Sequence, residues 1–183
     1  MATWKIDPAH SEVNFSVRHM MISNVRGQFE QFTGTVNFNE ENPALSSVEV
    51  QIETASINTR ESMRDNHLKS PDFFDVEKYP DMTFKSKRVV APGKNSGQII
   101  GDLTIRDVTR EVVLDVEYAG QAKSPWGATS AGFTATTKVN RKEFGLTWNQ
   151  ALETGGVLVG DDIKITIELE VVKEEETETV AGD

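Results

Sequence analysis

His10, His19 and His67 are the only three histidines in the 183 residues, and cysteine is absent. Without cysteine there are no disulfides, no thiolate nucleophiles and no sulfur-ligated metals. The histidines form no H-x-x-x-H pair and no other metal-ligand spacing. No serine lies in a G-x-S-x-G elbow, and no glycine-rich phosphate loop precedes a helical pattern. Asp161-Asp162 could attract Ca²⁺, but two carboxylates are a poor cage for a cation that takes six to eight oxygens. His19, at the end of an apolar row, is the one residue placed for acid–base work inside the fold. The expectation is a protein without catalytic residues, metal or cofactor.

The elements that must position any site have a period of two. Val13, Phe15, Val17 and His19 alternate with polar neighbours, as do Val48, Val50 and Ile52. Val112, Leu114, Val116 and Tyr118 do the same, as do Ala131, Phe133, Ala135, Thr137 and Val139. The clearest case is Ile163, Ile165, Ile167, Leu169 and Val171, set between Lys164, Thr166, Glu168 and Glu170. Such alternation turns one face of a strand to an apolar interior and the other to water. Weaker strands fit 34–39, 82–90 and 97–106, with turn signals between them such as Pro92-Gly93-Lys94-Asn95 and Ser124-Pro125-Trp126-Gly127. About eight one-sided strands with no long helical pattern imply a barrel or a sandwich.

Residues 59–76 break the pattern. Ser70-Pro71-Asp72 has the composition of a helix start, with Ser as N-cap and Pro at the first helical position. One or two short helices are expected to lie across the barrel there, and an excursion of this length inside a compact β domain is usually functional.

The formal charge of −10 argues against a nucleic-acid partner. No apolar run approaches the roughly 20 residues of a membrane-spanning helix. Residues 173–183 carry the acidic run Glu174-Glu175-Glu176 and read as a solvated tail to a domain spanning 1–172. The stretch Met1–Asp7 has neither a basic nor an apolar leader region. A cytoplasmic location is therefore expected; a periplasmic or secreted one would follow if a leader had been removed.

Several motifs stand in order along the chain. They are Trp4-Lys5-Ile6-Asp7-Pro8-Ala9-His10-Ser11, Phe15-Ser16-Val17-Arg18-His19-Met20 and Val25-Arg26-Gly27-Gln28-Phe29. The central signature is Arg64-Asp65-Asn66-His67-Leu68-Lys69-Ser70-Pro71-Asp72-Phe73-Phe74. Gly101-Asp102-Leu103-Thr104-Ile105 and Asn140-Arg141-Lys142-Glu143-Phe144-Gly145-Leu146 follow it. Together these motifs resemble the YceI family of lipocalin-like, polyisoprenoid-binding proteins. Asp107 departs from the pattern, standing where many members carry glycine. The resemblance covers roughly residues 3–172 and implies an elongated eight-stranded antiparallel barrel with a helical insertion. It also implies an isoprenoid ligand, a polyprenyl chain or an isoprenoid quinone, inside the barrel.

Alternation alone leaves two interiors open. Small inward positions (Gly101, Ala131, Ala135) either interdigitate with large ones in a solid core or leave room for an apolar guest. The resemblance favours the guest. The residues then expected at the ligand are Phe15, Val17, His19, Phe84, Leu103, Ile105, Phe133 and Phe144 on the barrel, with Met63, Leu68, Phe73 and Phe74 lining an entrance. Arg64, Asp65 and His67 either meet a head group or pin the insertion through an Arg–Asp ion pair, pinning being the simpler role for the first two. A homodimer and a transient membrane contact are compatible with the sequence.

Overall fold

The computed structural model describes residues 2–174; most of the acidic stretch expected as a tail, 175–183, lies outside the described residues. In chain order the strands are β1 (Ala2–Ile6), β2 (Glu12–His19), β3 (Ser23–Phe29), β4 (Phe32–Phe38), β5 (Ser47–Glu53) and β6 (Ile57–Asn58). After helix α1 (Ser62–Lys69) come β7 (Asp81–Val90), β8 (Ser96–Ile105), β9 (Val108–Lys123), β10 (Thr129–Asn140) and β11 (Val159–Lys173).

These segments make eight staves of a closed antiparallel barrel. The ring β1–β4–β5–β7–β8–β9–β10–β11 closes where Trp4 pairs with Lys173 and Ile6 with Val171. β2, β3 and β6 continue the staves begun by β1, β4 and β5 past a local break. Closure leaves no long sheet edge around the ring, which an open sheet of this length would have to protect.

The break between β1 and β2 accounts for the Asp7-Pro8-Ala9-His10-Ser11 motif. Pro8–His10 form a 3-10 turn, for which proline's fixed φ is suited, and Asp7 Oδ1 accepts from the Ala9 N–H at 3.0 Å. The turn interrupts pairing with β11, and the Ser11 hydroxyl fills the gap by donating to Glu170 O and accepting from Glu170 N. His10 Nδ1 lies 2.7 Å from Asp7 Oδ2. Its hydrogen bond to Asp7, with the nearby charge of Glu170, raises the His10 imidazole above 6.5. The same hydrogen bond is the main cause of an Asp7 carboxyl held below 3.8.

A histidine raised in the folded state contributes its stabilisation in full below 6.5 and loses it as pH climbs through the folded value. Asp7 contributes above 3.8 and loses its share as pH falls. The pair is therefore strongest between these two values. His10→Gln is expected to lower the urea midpoint slightly at pH 5.5 and to leave it unchanged at pH 9. An equal effect at both values would remove the ion pair as its cause.

Two strand positions turn on the absence of a side chain. A Cβ at Gly27 would collide with Phe15 Cζ, and one at Gly101 would stand 2.6 Å from both Phe84 Cζ and the Lys85 carbonyl oxygen. Each glycine gives its space to a neighbouring aromatic ring, so Gly101 makes room for Phe84 and not for a guest. β3 (Ser-Asn-Val-Arg-Gly-Gln-Phe) was not apparent from alternation because this glycine occupies an inward place.

The helical insertion differs from expectation at its boundaries. α1 ends where a start was expected: Ser70 is its C-cap, with its N–H and Oγ both donating to His67 O. Pro71 has no N–H to extend the helix. The N-cap is Glu61, whose carboxylate accepts from Met63 and Arg64 N–H. Residues 71–79 continue as turns, joined to α1 by Phe74 N–H donating to Leu68 O at 2.9 Å. At the β8–β9 turn the left-handed residue is Arg106 (φ 57°), not the neighbouring Asp107.

Candidate functional site: an apolar lumen open at one end

Inward residues of nearly every stave enclose a cavity of about 410 Å³. That lies within the range of pockets that bury small molecules. Val13, Phe15 and Val17 of β2 line it, with Ile163, Ile165, Ile167 and Leu169 beside them on the neighbouring strand β11. β8 and β9 contribute Ile99, Leu103, Ile105, Val112, Leu114 and Val116. Only four titratable side chains line it among the described residues: Glu40, Lys94, Tyr118 and Arg141. A surface with so few polar groups binds water poorly and apolar matter well.

The two ends differ. One is covered by the insertion and by the stretch after β10. Phe74 meets Phe29 edge-on at 5.7 Å, and Phe29 meets Phe15 at 5.5 Å. Phe73, Ile57 and Leu146 are buried around them. At the other end the lining passes through Phe38, Tyr118 and Phe133, whose rings lie 5.2 to 5.3 Å apart. It then reaches exposed Glu40, Gly93, Lys94 and Asn95 in the loops after β4 and β7, and Ser96 at the start of β8. This end is the mouth. Burial pushes the Tyr118 phenol up from its ordinary value, as a ring half inside an apolar space requires.

Of the residues expected at a ligand, Phe15, Val17, Leu68, Phe73, Phe74, Phe84, Leu103, Ile105 and Phe133 line the lumen. Leu68, Phe73 and Phe74 do so at the covered end and form its floor, not an entrance. The other six lie elsewhere. Phe144, 1% exposed, is packed into the solid part of the core. His19 ends β2 beyond Val17, paired with Ser23 and Val159, and does not line the lumen. Met63 is 78% exposed on the outer face of α1.

Arg64 and Asp65 do not form the expected ion pair with each other; both bind Thr59. Arg64 Nε donates to Thr59 Oγ1 at 2.8 Å and its terminal nitrogen to Thr59 O at 2.7 Å. Asp65 Oδ1 accepts from the Thr59 N–H at 2.9 Å and from its hydroxyl. Thr59 is 3% exposed, so this node pins α1 to the end of β6. His67 Nε2 lies 2.9 Å from Asp72 Oδ2, with its ring edge-on to Trp148 at 4.6 Å.

Arg141 was not expected at the site. It is 3% exposed, and its guanidinium donates to the carbonyls of Gly160 (2.8 Å), Leu146 (2.7 Å) and Trp148 (2.8 Å), with Val159 O at 3.4 Å. Burial lowers its pKa, and the Asp161 charge at 3.9 Å opposes the shift. One side chain thus ties the loop after β10 back over the covered end. All three of its nitrogens donate to protein carbonyls, so it anchors this cover. Its sequence signal was the Asn140–Leu146 motif, which by itself says nothing of burial.

The YceI-like domain model matches residues 4–171. The chain belongs to the YceI family. A UPF0312 protein of Staphylococcus aureus is 39% identical over 165 residues, which is 90% of this chain and 94% of that protein. The crystal structure of Burkholderia cenocepacia BcnA is similar with a TM-score of 0.80 at 25% identity, covering 90% of this chain and 98% of that one. A polyisoprenoid binding domain from Saccharophagus degradans, implicated in plant cell wall breakdown, has a TM-score of 0.66 over 95% of this YceI chain and 100% of that one. At 11% identity it shows a common fold. Among the described residues no helix is long and apolar enough to cross a membrane.

Proposed function

We propose that this YceI chain binds one long isoprenoid lipid, a polyprenyl chain or an isoprenoid quinone, in its lumen and carries or sequesters it without catalysis. The observation that carries this reading is the apolar lumen of about 410 Å³, open at one end and floored at the other. Each CH₂ moved from water into such a space gains about 0.8 kcal/mol, so a few isoprene units supply most of the affinity. Tail-first entry leaves the polar head among Glu40, Lys94, Asn95 and Tyr118 at the mouth. The common fold with a polyisoprenoid binding domain supports the same ligand class. Against catalysis stands a lumen lining with no histidine among the described residues.

Mass spectrometry of an organic extract of the purified protein tests the reading. The expected result is isoprenoid at up to one molecule per chain, and uptake of added polyprenol by stripped protein. An extract holding only straight-chain acyl lipids, with no polyprenol uptake, would overturn it.

A further inference from the structure

The ligand proposed above is nearly insoluble, and leaving the lumen into water would forfeit about 0.8 kcal/mol for each CH₂. The mouth therefore matters as much as the lumen. Three loops surround it: those between β4 and β5, between β7 and β8, and between β9 and β10. They are tied together at their bases, with Gln121 Nε2 donating to Glu40 at 3.0 Å and Tyr118 N–H donating to Asn95 O at 2.8 Å.

Large apolar side chains stand in water on these loops and at the strand end that leads into one of them. Trp126 is 91% exposed, Leu45 56% and Val90 42%. Trp126 sits on a well-formed turn, in which Ser124 N–H donates to Ala128 O at 2.7 Å and Gly127 takes φ +92°. An indole held outward on such a turn adds nothing to the core, and tryptophan is the residue most suited to the membrane–water boundary.

Cations also stand beside the exposed apolar side chains on two of these loops. The chain carries −10, yet no acidic residue occurs from Met82 to Gly101 or from Tyr118 to Lys142. Near the mouth these stretches place Arg88, Lys94 and Lys123, none of them within 4.0 Å of a carboxylate among the described residues. Glu40 and Glu41 stand on the β4–β5 loop, and Glu117, paired with Ser96, and Glu174, whose N–H donates to Thr3 O, belong to the same end, so the cations are grouped at the β7–β8 and β9–β10 loops. The opposite end exposes Met20, Met21 and Ile22 and mixes Arg18, Arg60, Lys69 and Arg106 with Glu61, Asp72, Glu153 and Asp162, but there the lumen is floored.

We propose that the mouth end docks on an anionic lipid bilayer through Trp126, Leu45 and the Lys94 and Lys123 side chains, so that an isoprenoid passes between membrane and lumen without crossing water. This rests on the isoprenoid reading, and its test separates the two.

The full chain is sedimented with vesicles of phosphatidylcholine alone and of equal parts phosphatidylcholine and phosphatidylglycerol, and tryptophan emission is read on the same samples. Uptake of a detergent-delivered polyprenol is measured separately in solution. Wild type is expected to bind the anionic vesicles with a blue-shifted emission. Trp126→Ala loses the shift and about tenfold in binding, and the Lys94→Glu/Lys123→Glu pair loses at least roughly tenfold. Ile22→Ser, at the floored end, binds like wild type, and both it and Trp126→Ala keep polyprenol uptake.

No wild-type binding to anionic vesicles overturns the docking surface. So does loss in Ile22→Ser with none in Trp126→Ala, which puts the contact at the other end. Self-association lost in Trp126→Ala, without vesicle binding, overturns it in favour of a second copy of the chain. Vesicle binding without polyprenol uptake upholds the docking surface and removes the lumen's proposed ligand.

Discussion

Ala135→Leu is expected to leave the melting temperature of lipid-stripped protein unchanged or slightly higher while polyprenol uptake falls about tenfold. Ala135 lines the lumen from β10, between Phe133 and Thr137. A leucine there extends into vacant apolar space, gaining about 0.8 kcal/mol for each buried CH₂ and removing volume that the lipid needs. Ala131, two pairs along the same strand face, gives the opposite result. It is 1% exposed, lies opposite Val171 at 0% exposure, and does not reach the lumen. Ala131→Phe overpacks that solid layer and is expected to cost about 1–3 kcal/mol, with little change in uptake by the molecules that remain folded. Thermal melts and polyprenol titrations on both variants, stripped of lipid because bound ligand stabilises the folded state, check the pair. Equal destabilisation by the two substitutions would make the interior solid at Ala135 as well.

Arg141→Met is expected to destabilise the protein by about 3–5 kcal/mol, the cost of stranding buried partners of a charge. Methionine fills similar volume but leaves the carbonyls of Leu146, Trp148 and Gly160 without their donors. Arg141→Lys keeps the charge but has one ammonium in place of a planar fork, so it is expected to recover less than half of the loss. Lys142→Met, next to it and half exposed, serves as the control and should stay within about 0.5 kcal/mol. Urea unfolding checks all three. The loop that Arg141 holds closes the floor of the lumen, so Arg141→Lys should also release bound lipid faster. Loss of stability without faster release would confine Arg141 to the fold.

The barrel was legible in the sequence because strand alternation is a local property. Ile163, Ile165, Ile167, Leu169 and Val171 name their own face whatever they pair with, and the same is true of Val112, Leu114 and Val116. Staves with an irregular residue were harder to see: β3 carries Gly27 at an inward place, and the β1–β2 stave is interrupted by Pro8–His10. The family was legible too, since its motifs stand in order along the chain and the matching domain spans 4–171.

What the insertion does could not be read from its own residues. Asp65 and Arg64 have the composition of an ion pair, and only the position of Thr59 at the end of β6 turns both toward one threonine. Leu68, Phe73 and Phe74 have the composition of an entrance or of a floor, and the closing of the ring puts them opposite the mouth. Ala131 and Ala135 share a residue type and a strand face, yet one is packed solid and the other borders the lumen. Sequence determined the inward face of most strands, the eight-staved barrel and its family. Tertiary structure alone decided which end is open, which inward residues meet empty space, and that Arg141 is an anchor, because each depends on what stands across the barrel and not on neighbours along the chain.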